Sequence, residues 1–311
     1  MHFIGVLNKD GGTFRTMDVA AFVENATRVF VEAGHALDCR VVEGRDLIAE
    51  LQRAASDPAS DALLAGGGDG TISAAAAICF RHGMPLAVLP AGTMNLFARS
   101  LKVPLNLEQA VEALANGGLD RVDIATANGR PFVHQYSVGM HSRLVRIREG
   151  LTYNSRWGKM LASVRAVGAT LSRPLVFDAE IRTATGIENR RAMAVSVSNN
   201  LLGEGHVPYA EEMHGGVLGV YVVKPMPPAE AAQLAFSLLF GTWKHHPLVS
   251  ERQVEQVTLS FPHRKKSAKA VIDGELIALD KRVELKVHPG ALQVIVPKVE
   301  TPAPEAEAEP A

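Results

Sequence analysis

Apolar and polar positions follow two rhythms along this chain, and the change between them divides it. In the first third, short apolar runs at 3–7, 63–65 and 85–89 and a strand-like segment at 38–42 each give way to a segment with apolar residues three and four apart. Residues 17–33 place Val19, Phe22, Val23, Ala26, Val29 and Phe30 at that spacing before Gly34, which predicts a helix with a glycine stop. Helices are also predicted over 46–55, from the alanine-rich run after Thr71 to about His82, from Asn95 onward, and over 107–114. Buried strands alternating with helices through short loops imply a parallel sheet covered on both faces, with ligands gathering beyond the carboxyl ends of its strands.

From about residue 125 the rhythm shortens. Segments 132–138, 177–182, 192–198 and 218–223 alternate between turn residues and predict an antiparallel, strand-rich second domain. Two inserts interrupt it. Residues 156–172 align Trp157, Met160, Leu161, Val164, Val167 and Leu171 on one helical face, and 141–173 hold seven Lys or Arg against one Glu. Such a helix either lies on anionic lipid as a peripheral membrane contact or packs on the sheet with a solvated basic face. The second insert, 229–239, reads as a core helix. Residues 292–296 form a last apolar strand, and the Pro/Glu/Ala-rich 300–311 reads as a disordered acidic tail. The resulting division is 1–125, 126–291 and the tail.

Composition adds limits. At 311 residues, 47% apolar and 21% charged, the chain is globular and long enough for about two domains. Formal net charge is −1, and four glutamates of the tail leave the remainder mildly positive, which gives no case for nucleic acid. Two cysteines, Cys39 and Cys79, both in apolar settings, fit a reducing compartment. The start Met1-His2-Phe3-Ile4 lacks the pattern of a signal peptide, so a cytoplasmic protein is expected. The basic run His263-Arg264-Lys265-Lys266 reads as a solvated turn.

The chemistry concentrates in loops. Gly66-Gly67-Gly68-Asp69-Gly70-Thr71 joins an apolar strand to a helix. Its glycines permit close backbone approach, and the amides at the helix start favour a phosphate. Asp69 facing a phosphate makes sense with a divalent cation between them. Two more loops, Asn8-Lys9-Asp10-Gly11-Gly12-Thr13 and Pro90-Ala91-Gly92-Thr93-Met94-Asn95, should meet it at one sheet edge. Late in the chain, Asp273-Gly274-Glu275 is by itself a hairpin turn, the usual meaning of Asp-Gly, with deprotonation of an acceptor hydroxyl as the other reading.

With these three features in one chain, the sequence resembles the diacylglycerol kinase catalytic-domain family, the soluble bacterial lipid kinases related to sphingosine and ceramide kinases, over about residues 3–297. The resemblance implies an α/β nucleotide-binding domain of the NAD kinase/diacylglycerol kinase type followed by an antiparallel β-sandwich, with strand 292–297 returning to the first domain. It implies ATP and Mg²⁺ as cofactors, a lipid alcohol as substrate, and no excluded oligomeric state. Gly66, Gly67, Gly68, Asp69, Gly70, Thr71, Gly92, Thr93 and Asn95 would touch ATP, with Asn8 and Gly12 nearby. Asp69 and Asp123 would belong to the magnesium network, Glu275 would be the base, and Asp273 would stand beside it in the catalytic set. Three departures are visible: Leu96 where the family usually has Asp, Lys9 where Pro is common, and Pro208–Gly216 without the Asp pairs of a structural metal. An NAD- or sugar-type kinase acting on a soluble alcohol, or a kinase-like protein with weak catalysis, remain the other readings.

Overall fold

A computed structural model describes residues 1–140, 176–205 and 207–298. The basic segment 156–172 and the acidic tail 300–311 lie outside the described residues. The N-terminal half alternates as its pattern predicts: β1 (His2–Asn8), α1 (Val19–Glu32), β2 (Ala36–Val42), α2 (Leu47–Ala55), β3 (Ala62–Gly67), α3 (Asp69–His82), β4 (Leu86–Pro90), α4 (Leu96–Ser100) and α5 (Leu107–Ala115). Local signals set the helix ends. The Asp18 carboxylate accepts the amides of Ala20 and Ala21 at the start of α1, Asn106 does the same for α5, and Gly83 ends α3 in the left-handed conformation. Four parallel strands run in the order β2-β1-β3-β4. The order reverses between β1 and β3, and the crevice beyond such a switch point is where ligands bind in open α/β sheets.

The second half is antiparallel. Strands β5 (Gly118–Ala127), β6 (Arg130–Phe132), β8 (Phe177–Thr183), β9 (Gly186–Ala192), β13 (Gln256–Ser260) and β16 (Arg282–Val296) extend the first sheet to ten strands. A second sheet has the order β12 (Val249–Val254), β11 (Leu218–Val223), β10 (Ala194–Asn199), β7 (Gln135–Gly139), β14 (Lys269–Ile272), β15 (Glu275–Ala278). A sandwich core fills the space between the sheets, with Ile181, Leu259 and Leu285 from one and Tyr136, Val197 and Ala270 from the other.

Two sequence expectations change. The predicted strand 132–138 is two strands, β6 and β7, because the amides of Val133, His134 and Gln135 leave the ladder to meet the carboxylate of Asp273. The last strand is 15 residues long instead of five: it alternates through Val283, Leu285 and Val287, bulges at 289–291, and then pairs in parallel with β4 at Val294. Helix α6 (Pro228–Leu239) buries Ala231 and Leu234 in a cluster with Met193, Tyr221 and Trp243 and leaves Phe236 exposed.

Candidate active site

The loops after β1, β3 and β4 converge on the N-terminus of α3, each tie being a nameable hydrogen bond. Asn8 Nδ2 donates to Thr71 Oγ1 (3.1 Å), the Thr13 amide donates to the Ala91 carbonyl (2.8 Å), and the Ala91 amide donates to the Gly67 carbonyl (3.0 Å). The glycines serve this packing before any ligand arrives. A Cβ on Gly92 would stand 2.7 Å from the Gly68 Cα, and one on Gly12, which has a φ of +44°, would stand 1.7 Å from the Ala91 oxygen. Gly12→Ala is therefore expected to cost about 2 kcal/mol, read as a lower urea midpoint at an unchanged slope. Gly70 has open space where its Cβ would be, so the first turn of α3 faces the crevice. The first four amides of a helix lack intrahelical partners, which leaves this turn ready for an anion.

Asp69 sits on that turn with its carboxylate spanning the gap to the third loop. It accepts the Asn95 amide (3.1 Å) and the Leu96 amide (2.6 Å), and so caps α4 from outside the helix. Leu96 contributes a backbone donor where a second carboxylate was looked for. Asn95, buried and at φ +51°, spends its side-chain amide on its own loop, accepting from the Gly92 amide and donating to the Pro90 and Gly92 carbonyls. Thr93 is exposed. Lys9 forms an ion pair with Glu43 (2.9 Å), whose carboxylate raises its pKa.

Asp273 and Glu275 belong to the hairpin between β14 and β15, with Asp273 at φ +45° and Gly274 at +87°, the paired left-handed conformations of a two-residue turn. The turn reading is right for the backbone. The Asp273 carboxylate, however, gathers four donors: the amides of Val133, His134 and Gln135, each at 2.9 Å, and the Ser73 hydroxyl at 2.6 Å. Since Ser73 lies on α3 one turn after the glycine loop, this carboxylate joins the hairpin to the phosphate-facing helix. Glu275 is 66% exposed and paired with Arg130 at 2.5 Å. Between α2, α3 and the hairpin is a cavity of about 230 Å³, with Gly70, Ser73, Asp273 and Glu275 among its lining.

Asp123 is placed apart from this group. It is 1% exposed, and its two oxygens accept the Gly216 amide (2.6 Å) and the Gly290 amide (2.9 Å), so its hydrogen bonds reach the 208–216 loop and the bulge of β16. In that loop His214 bridges Glu212 (2.9 Å) and Asp120 (3.1 Å), and both carboxylates, Glu212 foremost, raise the imidazole above its ordinary 6.5. A raised folded-state pKa gives a tether complete below about 6.5 and lost as pH rises through the shifted value. The protection of the 213–216 amides, measured against their intrinsic exchange at each pH, is thus expected to fall on that rise; a pH-independent protection would remove the tether.

Sequence reasoning missed Ser73, Arg130 and His134. Burial of the His134 ring outweighs the nearby Asp273 and Asp69 carboxylates and lowers its pKa, leaving it neutral near pH 7. Nothing local marks these residues, because their partners are distant in the chain; the one available signal was a histidine interrupting the apolar alternation of 132–138.

Comparison with known proteins bears on the family and the fold. Residues 2–127 match the family described as diacylglycerol kinase catalytic domain, and 153–296 match the YegS C-terminal NAD kinase beta sandwich-like domain. An uncharacterized protein of Synechocystis sp. is 26% identical over 271 residues, covering 82% of this chain and 60% of that protein. A diacylglycerol kinase of Staphylococcus saprophyticus is 26% identical over 211 residues, covering 64% of this chain and 66% of that one. The matches thus span 60% and 66% of the lengths of these two relatives, less than two thirds in each case. A diacylglycerol kinase structure from Bacillus anthracis superposes with a TM-score of 0.70 at 20% identity, over 95% of this chain and 96% of the other, and shows a shared fold.

Proposed function

Because the chain belongs to the diacylglycerol kinase catalytic-domain family, we propose that it transfers the γ-phosphoryl group of ATP to the hydroxyl of a lipid alcohol, diacylglycerol-like in kind. Residues 1–125 hold the nucleotide and 126–291 present the lipid. The observation that carries this reading is the Ser73–Asp273 hydrogen bond (2.6 Å), which sets an acidic hairpin against the glycine loop. A phosphate binder alone has no use for that hairpin.

The first-turn amides of α3 cradle the phosphates, with the loops of Asn8 and Gly12 and of Gly92 and Thr93 closing on either side. Asn8, Thr71 and Asn95 act through loop shape, since their side chains are engaged within the protein. Asp273 holds the hairpin in register with α3. Glu275, oriented by Arg130, receives the proton of the acceptor hydroxyl. The acceptor oxygen forms its bond to the γ-phosphorus as the bond from that phosphorus to the β,γ-bridging oxygen breaks, and the electron pair departs on ADP.

Among the described residues, no group of three or more His, Cys, Asp or Glu could hold a metal ion by itself. The donor set would suit instead a divalent cation bound together with phosphate, with Asp69 as the loop carboxylate; Asp123, whose two oxygens accept the Gly216 and Gly290 amides, stands apart from it. Mg²⁺ held there would supply neutralisation of phosphate charge. No helix of the described residues is long and apolar enough to cross a membrane.

The test is incubation with labelled ATP and a lipid extract, followed by phase partition. Label in the organic phase is expected, with kcat reduced about 10²-fold or more in Glu275→Gln. Label confined to NAD or sugars would replace the lipid by a soluble alcohol. Calorimetric binding of Mg-ATP without turnover on any alcohol would make the protein a nucleotide binder, a result that Leu96 would help to explain.

A further inference from the structure

His134 is held at the crevice by its backbone, and its ring is left without a task. The amide donates to Asp273 Oδ1 (2.9 Å) and the carbonyl accepts the Asn199 amide (2.9 Å). Asn199, 1% exposed, is fixed in turn by donating its side-chain amide to the Asp123 carbonyl (2.8 Å). The half-buried imidazole hydrogen-bonds to no described residue, although it stands in the fields of both Asp273 and Asp69. Those two carboxylates mark the ends of the reaction path. Asp69 lies on the phosphate-facing turn of α3, while Asp273 is bonded to Ser73 one turn further along and carries the hairpin of Glu275. A group in the field of both faces the space between phosphate loop and base, which the transferred phosphoryl has to cross. Neighbouring cations are committed elsewhere, Arg130 to Glu275 and Lys9 to Glu43. Arg81 is twelve residues beyond Asp69 on the same helix, about 18 Å along its axis.

Resting on the kinase reading above, we propose that His134 is a further catalytic residue of this site, donating a ring N–H to an oxygen of the γ-phosphoryl group as it passes from ATP to the acceptor. Charge on the transferring group and its leaving oxygen is met by donors already in place, so this hydrogen bond strengthens toward the transition state and acts on kcat. The ring is suited to the task by being neutral near pH 7, its pKa lowered by burial, with one N–H to give. An imidazolium at the same place would be drawn onto Asp69 or Asp273 and lost to the phosphoryl group.

The test uses the full chain with labelled ATP and the lipid extract. His134→Ala is expected to lower kcat about 10²-fold, with KM for ATP within about threefold of the parent. His134→Gln keeps an N–H donor and should recover at least about tenfold of that loss. The second readout is binding of Mg-ADP with fluoroaluminate, a planar mimic of the transferring phosphoryl group, set against binding of Mg-ADP alone. In His134→Ala the affinity for the mimic should fall by the same factor as kcat, with the affinity for Mg-ADP unchanged. Both affinities are taken on one variant, so a partly unfolded preparation leaves their ratio intact. A kcat for His134→Ala within about threefold of the parent overturns the inference. So does an equal loss for Mg-ADP and for the mimic, which would make the ring a packing element of its loop. His134→Gln as slow as His134→Ala overturns it too. In each of these cases the parent still labels lipid and the kinase reading stands. A parent that leaves the lipid extract unlabelled removes that reading and the role of His134 together.

Discussion

Asp69→Ala is expected to lower kcat for phosphoryl transfer by about 10²- to 10³-fold, more than alanine at any loop glycine. Two functions meet in this carboxylate. It caps α4 by accepting the Asn95 and Leu96 amides, which holds the third loop against the second. It is also the carboxylate at the phosphate-facing turn of α3 and stands alone there in the proposed magnesium network, since position 96 supplies leucine. Asp69→Asn separates the two. Its side-chain oxygen still accepts an amide, so the melting temperature should fall by no more than a lost cap of about 1 kcal/mol allows, while turnover drops nearly as far as in the alanine variant. If Asp69→Asn turns over ATP into phospholipid at the parental rate, the carboxylate acts only as a cap.

The second large effect is at Asp273. Removal of its carboxylate in Asp273→Ala strands three backbone amides and the Ser73 hydroxyl. The expected loss is about 2 to 4 kcal/mol, since hydrogen bonds to a charged group are the strong ones and partly buried donors are left without acceptors. The activity of the folded fraction should fall as well, because the hairpin bearing Glu275 is no longer pinned to α3. Ser73→Ala is the partner variant: it removes only the pin. It should lower kcat with little change in urea midpoint, and a double-mutant cycle with Asp273→Asn should show coupling. Equal kcat for Ser73→Ala and the parent would confine Asp273 to a structural role.

These two residues show what can be read in a linear sequence. Asp69 was legible because its loop is local: four glycines around one carboxylate between a strand and a helix have few other uses. The β-α alternation was legible for a similar reason, each apolar run being short enough to be buried on both faces. Asp273 was legible only as a turn, since its partners at 73 and 133–135 are separated from it by 138 to 200 positions. The split of 132–138 follows from that same distant carboxylate and has no local cause.

The 15-residue strand β16 also constrains how the chain is made. Its last turns of sheet join β4 and the start of β5, so the parallel layer laid down by the first 90 residues is bordered by residues 292–296. During vectorial synthesis that layer has an open edge until almost the whole chain has left the ribosome, and the pairing that closes it spans about 200 positions. Such a topology favours slow acquisition of the native state, with both halves maturing together. Chains halted before residue 280 should then be short-lived and aggregation-prone, with neither half protected from proteolysis.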